Sequence, residues 1–282
     1  MRNKISAFSI LELSIVLLIA GLLAIGILKG SNLITASRLT VARSTTSQSI
    51  VPKISGLIAW YETSLLDSLK IDEAINDKQI TAWYDISPQS IVGKKNPLIQ
   101  STGSAKYKAS GIAKIPSISF DANSNLALQN FYQGSSAQNT IFIVARPSTL
   151  SGVIFDSSAG NGIYAISLTN SAIKLNAGSA DLSFNSSQIA KAGDDFIIAS
   201  YFNRQDSKLY LNNAITPLAP SSTLDPGANN LGGVTIGTNR NASQGFAGLI
   251  SEIIIYNRSL QIQERKDVMA YLSKKYQISI IQ

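Results

Sequence analysis

The chain has 282 residues and a formal charge of +7, set by 24 Lys and Arg against 17 Asp and Glu. The basic residues are scattered, with no Lys/Arg-rich run and no aromatic-interleaved basic stripe, which argues against a nucleic acid partner. There is no cysteine and no histidine, so a Ser-His-Asp triad, a thiol nucleophile and an ordinary zinc site are all excluded.

Met1 to Ser6 form a short polar leader carrying Arg2 and Lys4. Behind Ala7 lies an apolar run, Phe8 to Leu28, in which Glu12 is the only charged residue. As a helix this run would measure ~31 Å, close to the hydrocarbon thickness of a bilayer. The sequence therefore predicts an N-terminal transmembrane helix. The basic leader would keep the N-terminus in the cytoplasm, with the bulk of the chain periplasmic, across the inner membrane. A secretory signal places its small residues after the apolar core, whereas Ala7 precedes it. A carboxylate at the centre of such a helix costs about 3 kcal/mol, so Glu12 reads as a paired, functional group.

Beyond Ser31 the apolar positions Leu33, Ile34, Ala36, Leu39, Val41 and Ala42 continue a weakly amphipathic helix. The hydroxyl-rich run Ser44 to Ser49 and Pro52 end it between Arg43 and Ile50. From Ile54 the texture changes to short β-rich runs separated by turn formers: Leu57–Tyr61, Ile80–Tyr84, Ser117–Phe120, Thr140–Ala145, Gly152–Phe155, Ile163–Leu168, Ala172–Asn176, Phe196–Phe202, Lys208–Leu211, Val234–Ile236 and Leu249–Tyr256. That many short strands predict an all-β sandwich. Asn203 to Ser207 reads as a hairpin turn. A helix capped by Ser259 closes the chain, with Ile262, Val268, Met269, Leu272 and Tyr276 near one face.

The N-terminus resembles that of type IV prepilins and type II secretion pseudopilins. With a cut between Ala7 and Phe8, the aromatic Phe8 becomes first and Glu12 fifth. The resemblance implies that prepilin peptidase cleaves there and methylates the new amine of Phe8, and that Glu12 meets the N-terminal amine of a neighbouring subunit. The usual Gly before the cut is Ala7 here, and the C-terminal disulfide loop of many type IV pilins is absent.

A second resemblance spans Ile54 to about Gln277. Leu57-Ile58-Ala59-Trp60-Tyr61, Ala82-Trp83-Tyr84-Asp85, Ser117-Ile118-Ser119-Phe120-Asp121 and Gly245-Phe246-Ala247-Gly248-Leu249-Ile250-Ser251-Glu252 are similar to laminin-G-like, concanavalin A-like domains. It implies a two-sheet antiparallel jelly roll that binds glycans or proteins, sometimes through calcium. The expected organisation is a leader over residues 1–7, a membrane or filament-core helix over 8–50, and a laminin-G-like head over 54–282.

For the head, glycoside cleavage would need paired carboxylates. The five glutamates Glu12, Glu62, Glu73, Glu252 and Glu264 do not fall in the E-x-D-x-x-E spacing of glucanases on this fold, so no enzyme activity is expected. No organic cofactor is implied. Calcium could take loop oxygens from Asp121, Asn123 and Asn125, or from Asp156 with nearby carbonyls, although Asp and Asn form turns on their own account. Trp60, Trp83 and Tyr84 could stack on sugar rings, but their period-two positions read as core. The expected function is a pilin-like filament subunit displaying a lectin-like head for surface recognition or adhesion. Its partners would be prepilin peptidase, other subunits, the membrane and a glycan or surface protein. The rival expectations are a pseudopilin of a secretion machine and a membrane-tethered hydrolase.

Overall fold

The computed structural model describes residues 10–88, 96–132, 134–186 and 191–282. Helix α1 is Ile10–Ser47. It ends where Thr45, Thr46 and Ser47 each turn a hydroxyl back onto the carbonyl four residues earlier. Such back-bonding competes with the helix ladder, and Pro52 follows in a single 3-10 turn at Val51–Lys53.

Among the described residues no helix is long and apolar enough to cross a membrane. This corrects the expected transmembrane helix, and with it the single-pass inner-membrane placement with a cytoplasmic N-terminus and a periplasmic head. The exposed apolar positions at the start of α1 run from Leu13 to Ile19. Further along, Arg38, Arg43 and Thr46 are seated on protein.

The rest is a sandwich of two antiparallel sheets. The first contains β1 (Leu57–Glu62), β4 (Lys106–Lys108), β5 (Ser117–Asp121), β7 (Asn139–Pro147), β12 (Phe196–Phe202), β13 (Lys208–Leu211) and β15 (Ala247–Tyr256), in the order β13-β12-β7-β15-β5-β4. Strand β1 pairs with the second half of β15, past a bulge at Ile250/Glu252, while β5 pairs with the first half. The second contains β2 (Ala82–Trp83), β3 (Leu98–Thr102), β6 (Asn125–Leu128), β8 (Gly152–Asp156), β9 (Ala165–Leu168), β10 (Ala172–Asn176), β11 (Leu182–Asn185) and β14 (Val234–Ile236), in the order β11-β10-β9-β8-β14-β6-β3-β2. The expected hairpin is present, with β12 and β13 paired from Ile198↔Leu211 to Tyr201↔Lys208.

The first sheet is covered on both faces, which explains its nearly unbroken apolar strands. Ile141, Ile143 and Ala145 of β7 point into the inter-sheet core with Ile198, Ile253 and Phe155. Their neighbours Phe142 and Val144 point the other way, with Ile197, Ile254 and Tyr256, into a second core. Helix α2 (Ile262–Tyr276) closes that second core with Val268, Met269 and Leu272, joined by Ala42 of α1. The cap of α2 is Gln261 rather than Ser259: Gln261 and Glu264 form a reciprocal capping box. At one rim the strands approach so closely that a Cβ on Gly245 would lie 1.7 Å from the Ala122 carbonyl oxygen.

Candidate functional site

The two layers of helix and sheet meet at a buried charge cluster. The register of β1 on β15 sets Glu62 directly opposite Glu252, and both are fully buried. Like charges facing each other across a strand pair are destabilising. The pairing is tolerated because Lys275, in the last turn of α2, reaches down between them. Its Nζ lies 2.8 Å from Oε2 of each glutamate.

Every carboxylate oxygen in the cluster is satisfied. Glu62 accepts from Ser64 N and Oγ, Leu65 N and Ser68 Oγ. Glu252 accepts from Trp60 Nε1 at 2.7 Å, Tyr271 Oη at 2.8 Å and Tyr276 Oη at 2.9 Å. Burial pushes the Glu62 carboxyl up, but Lys275 and the Ser64 and Ser68 hydroxyls outweigh it and hold the pKa at about 2. For Lys275 burial favours the neutral amine, and the two carboxylates reverse that, so its pKa is raised. Trp60 and Tyr271 also meet edge to face, 6.3 Å between ring centroids.

This cluster is where α1 is fixed to the head. Arg43 Nε donates at 2.7 Å to the carbonyl of Ser64, the residue whose N–H and hydroxyl hold the Glu62 carboxylate. Arg38 donates from Nη2 to the Lys275 carbonyl and from Nε to the Ala113 carbonyl. Thr46 Oγ1 lies 3.4 Å from the Tyr271 hydroxyl that also serves Glu252. The last three turns of α1 thus touch two separate parts of the sandwich, at Ser64 and Ala113, as well as α2.

The other end of α1 is different. Leu13, Ile15, Val16, Leu17, Leu18 and Ile19 are between 48% and 64% exposed, and successive residues on a helix point to all sides. A helix that is apolar all round is normally a covered helix. Glu12 stands in the first turn of α1, exposed at the same end. Ala7 and Phe8, the expected cleavage and methylation residues, lie outside the described residues.

The loop residues considered for calcium are not brought together with other acidic groups. Asp121 is exposed and its Oδ1 accepts from the Asn123 backbone N–H in a turn. Asp156 is buried, with Oδ1 accepting from Ser157 N and Tyr164 N, and Oδ2 from Arg240 N and Nη1. No group of three acidic residues that could hold a metal occurs among the described residues. In the sequence Glu62 and Glu252 stand out only as two of five glutamates, and nothing joins them to Lys275. The signal was present: Glu62 ends one otherwise apolar strand, Glu252 interrupts another, and Lys275 follows Val268 and Leu272 at helical spacing.

No family model matches the chain. No curated protein matches it either. Solved structures do. Domain 4 of an extracellular GH43 arabinanase from Geobacillus stearothermophilus, solved with arabinotriose, is 16% identical, with a TM-score of 0.52 over 76% of this chain and 98% of that one. The binding domain of botulinum neurotoxin serotype G gives a TM-score of 0.52 at 14% identity, over 77% of this chain and 51% of that one. The fold shared with these structures is a β-sandwich. A Trypanosoma rangeli sialidase mutant displaying trans-sialidase activity also matches, at 12% identity and a TM-score of 0.52, over 87% of this chain and 38% of that one. The chain thus spans about half the length of the toxin domain and less of the sialidase. The expectation that the chain is not an enzyme is corrected here: a domain of an arabinanase and part of the chain of a sialidase share the fold, so a missing glucanase spacing does not separate this sandwich from glycoside-cleaving proteins.

Proposed function

We propose that the chain is a pilin-like filament subunit in which α1 forms the assembly element and the lectin-like sandwich is a recognition head for glycan or protein ligands. The observation that carries this reading is the contrast within one helix. Leu13 to Ile19 are exposed on every side, and apolar surface on that scale calls for a partner. Arg38, Arg43 and Thr46 meanwhile tie the same helix to the head. A helix that sheds its apolar end into a bundle of its own kind, while its other end holds a globular domain at a fixed angle, arrays heads along a filament.

Three further points support it. The leader, the candidate scission point between Ala7 and Phe8, and Glu12 at the fifth place behind it follow the prepilin order. On this reading prepilin peptidase cuts and methylates at Phe8, and Glu12 pairs with the amine of a neighbour, which neutralises a carboxylate held among apolar helices. The lectin-like fold is suited to a displayed binding module, and one structural neighbour is a toxin binding domain.

The test is assembly and binding of the full chain expressed with a prepilin peptidase. Electron microscopy should show filaments that Leu17→Arg abolishes while the near-UV circular dichroism of the head is retained. Filaments that form unchanged with Leu17→Arg would remove α1 from the assembly role. A glycan and surface-protein array probed with the assembled chain should give specific binding.

A further inference from the structure

Beside the N-terminus of α2, the β12–β13 hairpin and the loop after β13 wall an open groove of about 510 Å3. Volumes of this order hold small organic ligands. Arg265, on the second turn of α2, lines the groove and is only 4% exposed. Its guanidinium lies 4.0 Å from the Tyr210 ring centroid and 5.7 Å from that of Tyr201, and Nε and Nη2 both donate to the single carbonyl of Ala214. Among the described residues it makes no ion pair. The neighbouring Arg258, by contrast, is paired with both oxygens of Glu264.

A buried cation without a counter-ion is costly, and aromatic faces offset only part of that cost. Two hydroxyls lining the same groove are also without hydrogen-bond partners, Tyr201 Oη and Ser259 Oγ. Buried hydroxyls without partners are uncommon in native structures. Burial pushes the Tyr201 hydroxyl up to about 12, with Arg265 drawing it partly back, so it keeps its proton and can donate. Lys208 adds a second positive charge at the rim, opposed by Asp206.

We propose that this groove is a binding site for a carboxylate-bearing sugar, with Arg265 as the anchor for the carboxylate and the Tyr201 and Ser259 hydroxyls donating to it. The planar guanidinium fork suits a carboxylate. The sugar assignment comes from the remaining walls. Asn203 and Gln261 present amides able to bond ring hydroxyls, while the exposed Ile215 and Ile262 present an apolar surface for a ring face. Asp206 at the rim disfavours a highly charged acidic peptide and tolerates a single carboxylate with hydroxyl groups around it. The proposal rests on reading the head as a recognition module and names its ligand class and site.

The test is calorimetric titration of the full chain with glucuronate, glucose and triglutamate. Glucuronate should bind, and glucose should bind about tenfold more weakly or not at all, as expected when a charge-assisted contact is lost. Arg265→Lys keeps the charge but loses the fork and should weaken glucuronate by about tenfold. Ser259→Ala, at a residue with no native side-chain bond to lose, should weaken it severalfold with the melting temperature unchanged, and it decides the matter if Arg265→Lys fails to fold. Glucuronate binding unchanged in both variants, glucose binding equal to glucuronate, or triglutamate binding as tightly would each overturn the site. Specific glycan binding that survives both substitutions would leave the head a recognition module and remove only this assignment.

Discussion

Glu62 and Glu252 face each other across β1 and β15 in the dry interior of the molecule, and the distance from each to Lys275 Nζ is the same 2.8 Å. Two carboxylates and one ammonium leave the cluster with a net negative charge, balanced by seven further hydrogen bonds from Ser64, Leu65, Ser68, Trp60, Tyr271 and Tyr276. The helix α2, the sheet and the end of α1 all depend on this one arrangement.

Removing the ammonium should therefore cost far more than an ordinary surface lysine. Lys275→Met leaves two facing buried carboxylates without a counter-charge, and breaking a buried pair from one side costs about 3–5 kcal/mol. Urea denaturation should show that loss. Lys274→Met, one residue away on the exposed side, should stay within about 0.5 kcal/mol of the parent. Adding Glu62→Gln and Glu252→Gln to Lys275→Met should recover part of the loss, because it removes the uncompensated charges.

The cluster also sets an acid limit. The Glu62 pKa falls from 4.5 to about 2 on folding, despite a burial effect in the opposite direction. A carboxylate with a lowered folded pKa contributes stability above its unfolded pKa and loses it as pH falls through the folded value. Stability should thus decline between pH 4.5 and about 2, with a contribution from Glu62 on the order of 3 kcal/mol. Unfolding measured against pH should show this slope, and Glu62→Gln should flatten it. On the alkaline side the raised Lys275 pKa acts in the other sense: its contribution is present below the ordinary lysine value and is lost as pH rises through the folded one.

The seat of α1 can be loosened without touching the sandwich core. Arg38→Ala removes donors to the Lys275 and Ala113 carbonyls, and Arg43→Ala removes the donor to Ser64. Hydrogen bonds from a charged donor are worth about 1.5–3 kcal/mol. Hydrogen exchange should show faster exchange over the last turns of α1 in the double variant, while β7 and β12 keep their protection. Equal protection of α1 in parent and variant would mean that the helix is held elsewhere.

The sandwich was legible in the sequence where strands are apolar and long. Asn139–Pro147, Phe196–Phe202 and Ala247–Tyr256 stand out because both their faces are covered. The strands that escaped notice, Leu98–Thr102, Lys106–Lys108, Asn125–Leu128 and Leu182–Asn185, are short and partly polar, and they take their strand form from neighbours rather than from their own composition. Lys275 sits in a Lys274-Lys275 pair that looks like a solvated helix end, and only the helical phase separates the exposed lysine from the buried one. Ser259 looked like a cap because of its residue type, but the reciprocal Gln261–Glu264 bonds place the helix start two residues later. The length of the apolar N-terminal run alone suggests a membrane span; the helix that contains it is attached to the head through its own later turns, and among the described residues no helix is long and apolar enough to cross a bilayer.

Glu12 is the residue on which assembly should depend. Glu12→Ala should leave the head's circular dichroism and melting unchanged, since Glu12 lies at the far end of α1 from Arg38 and Arg43. Filament yield by sedimentation should fall by about tenfold or more, the consequence of losing on the order of 1.4 kcal/mol per subunit contact. Normal filament yield with Glu12→Ala would remove the proposed pairing with a neighbour's amine.

The most direct measurement for the filament reading is the intact mass of the chain purified from cells that contain a prepilin peptidase. The account predicts a mature chain that begins at Phe8 and carries one added methyl group on its amine. A mass that retains Met1 through Ala7 would contradict it.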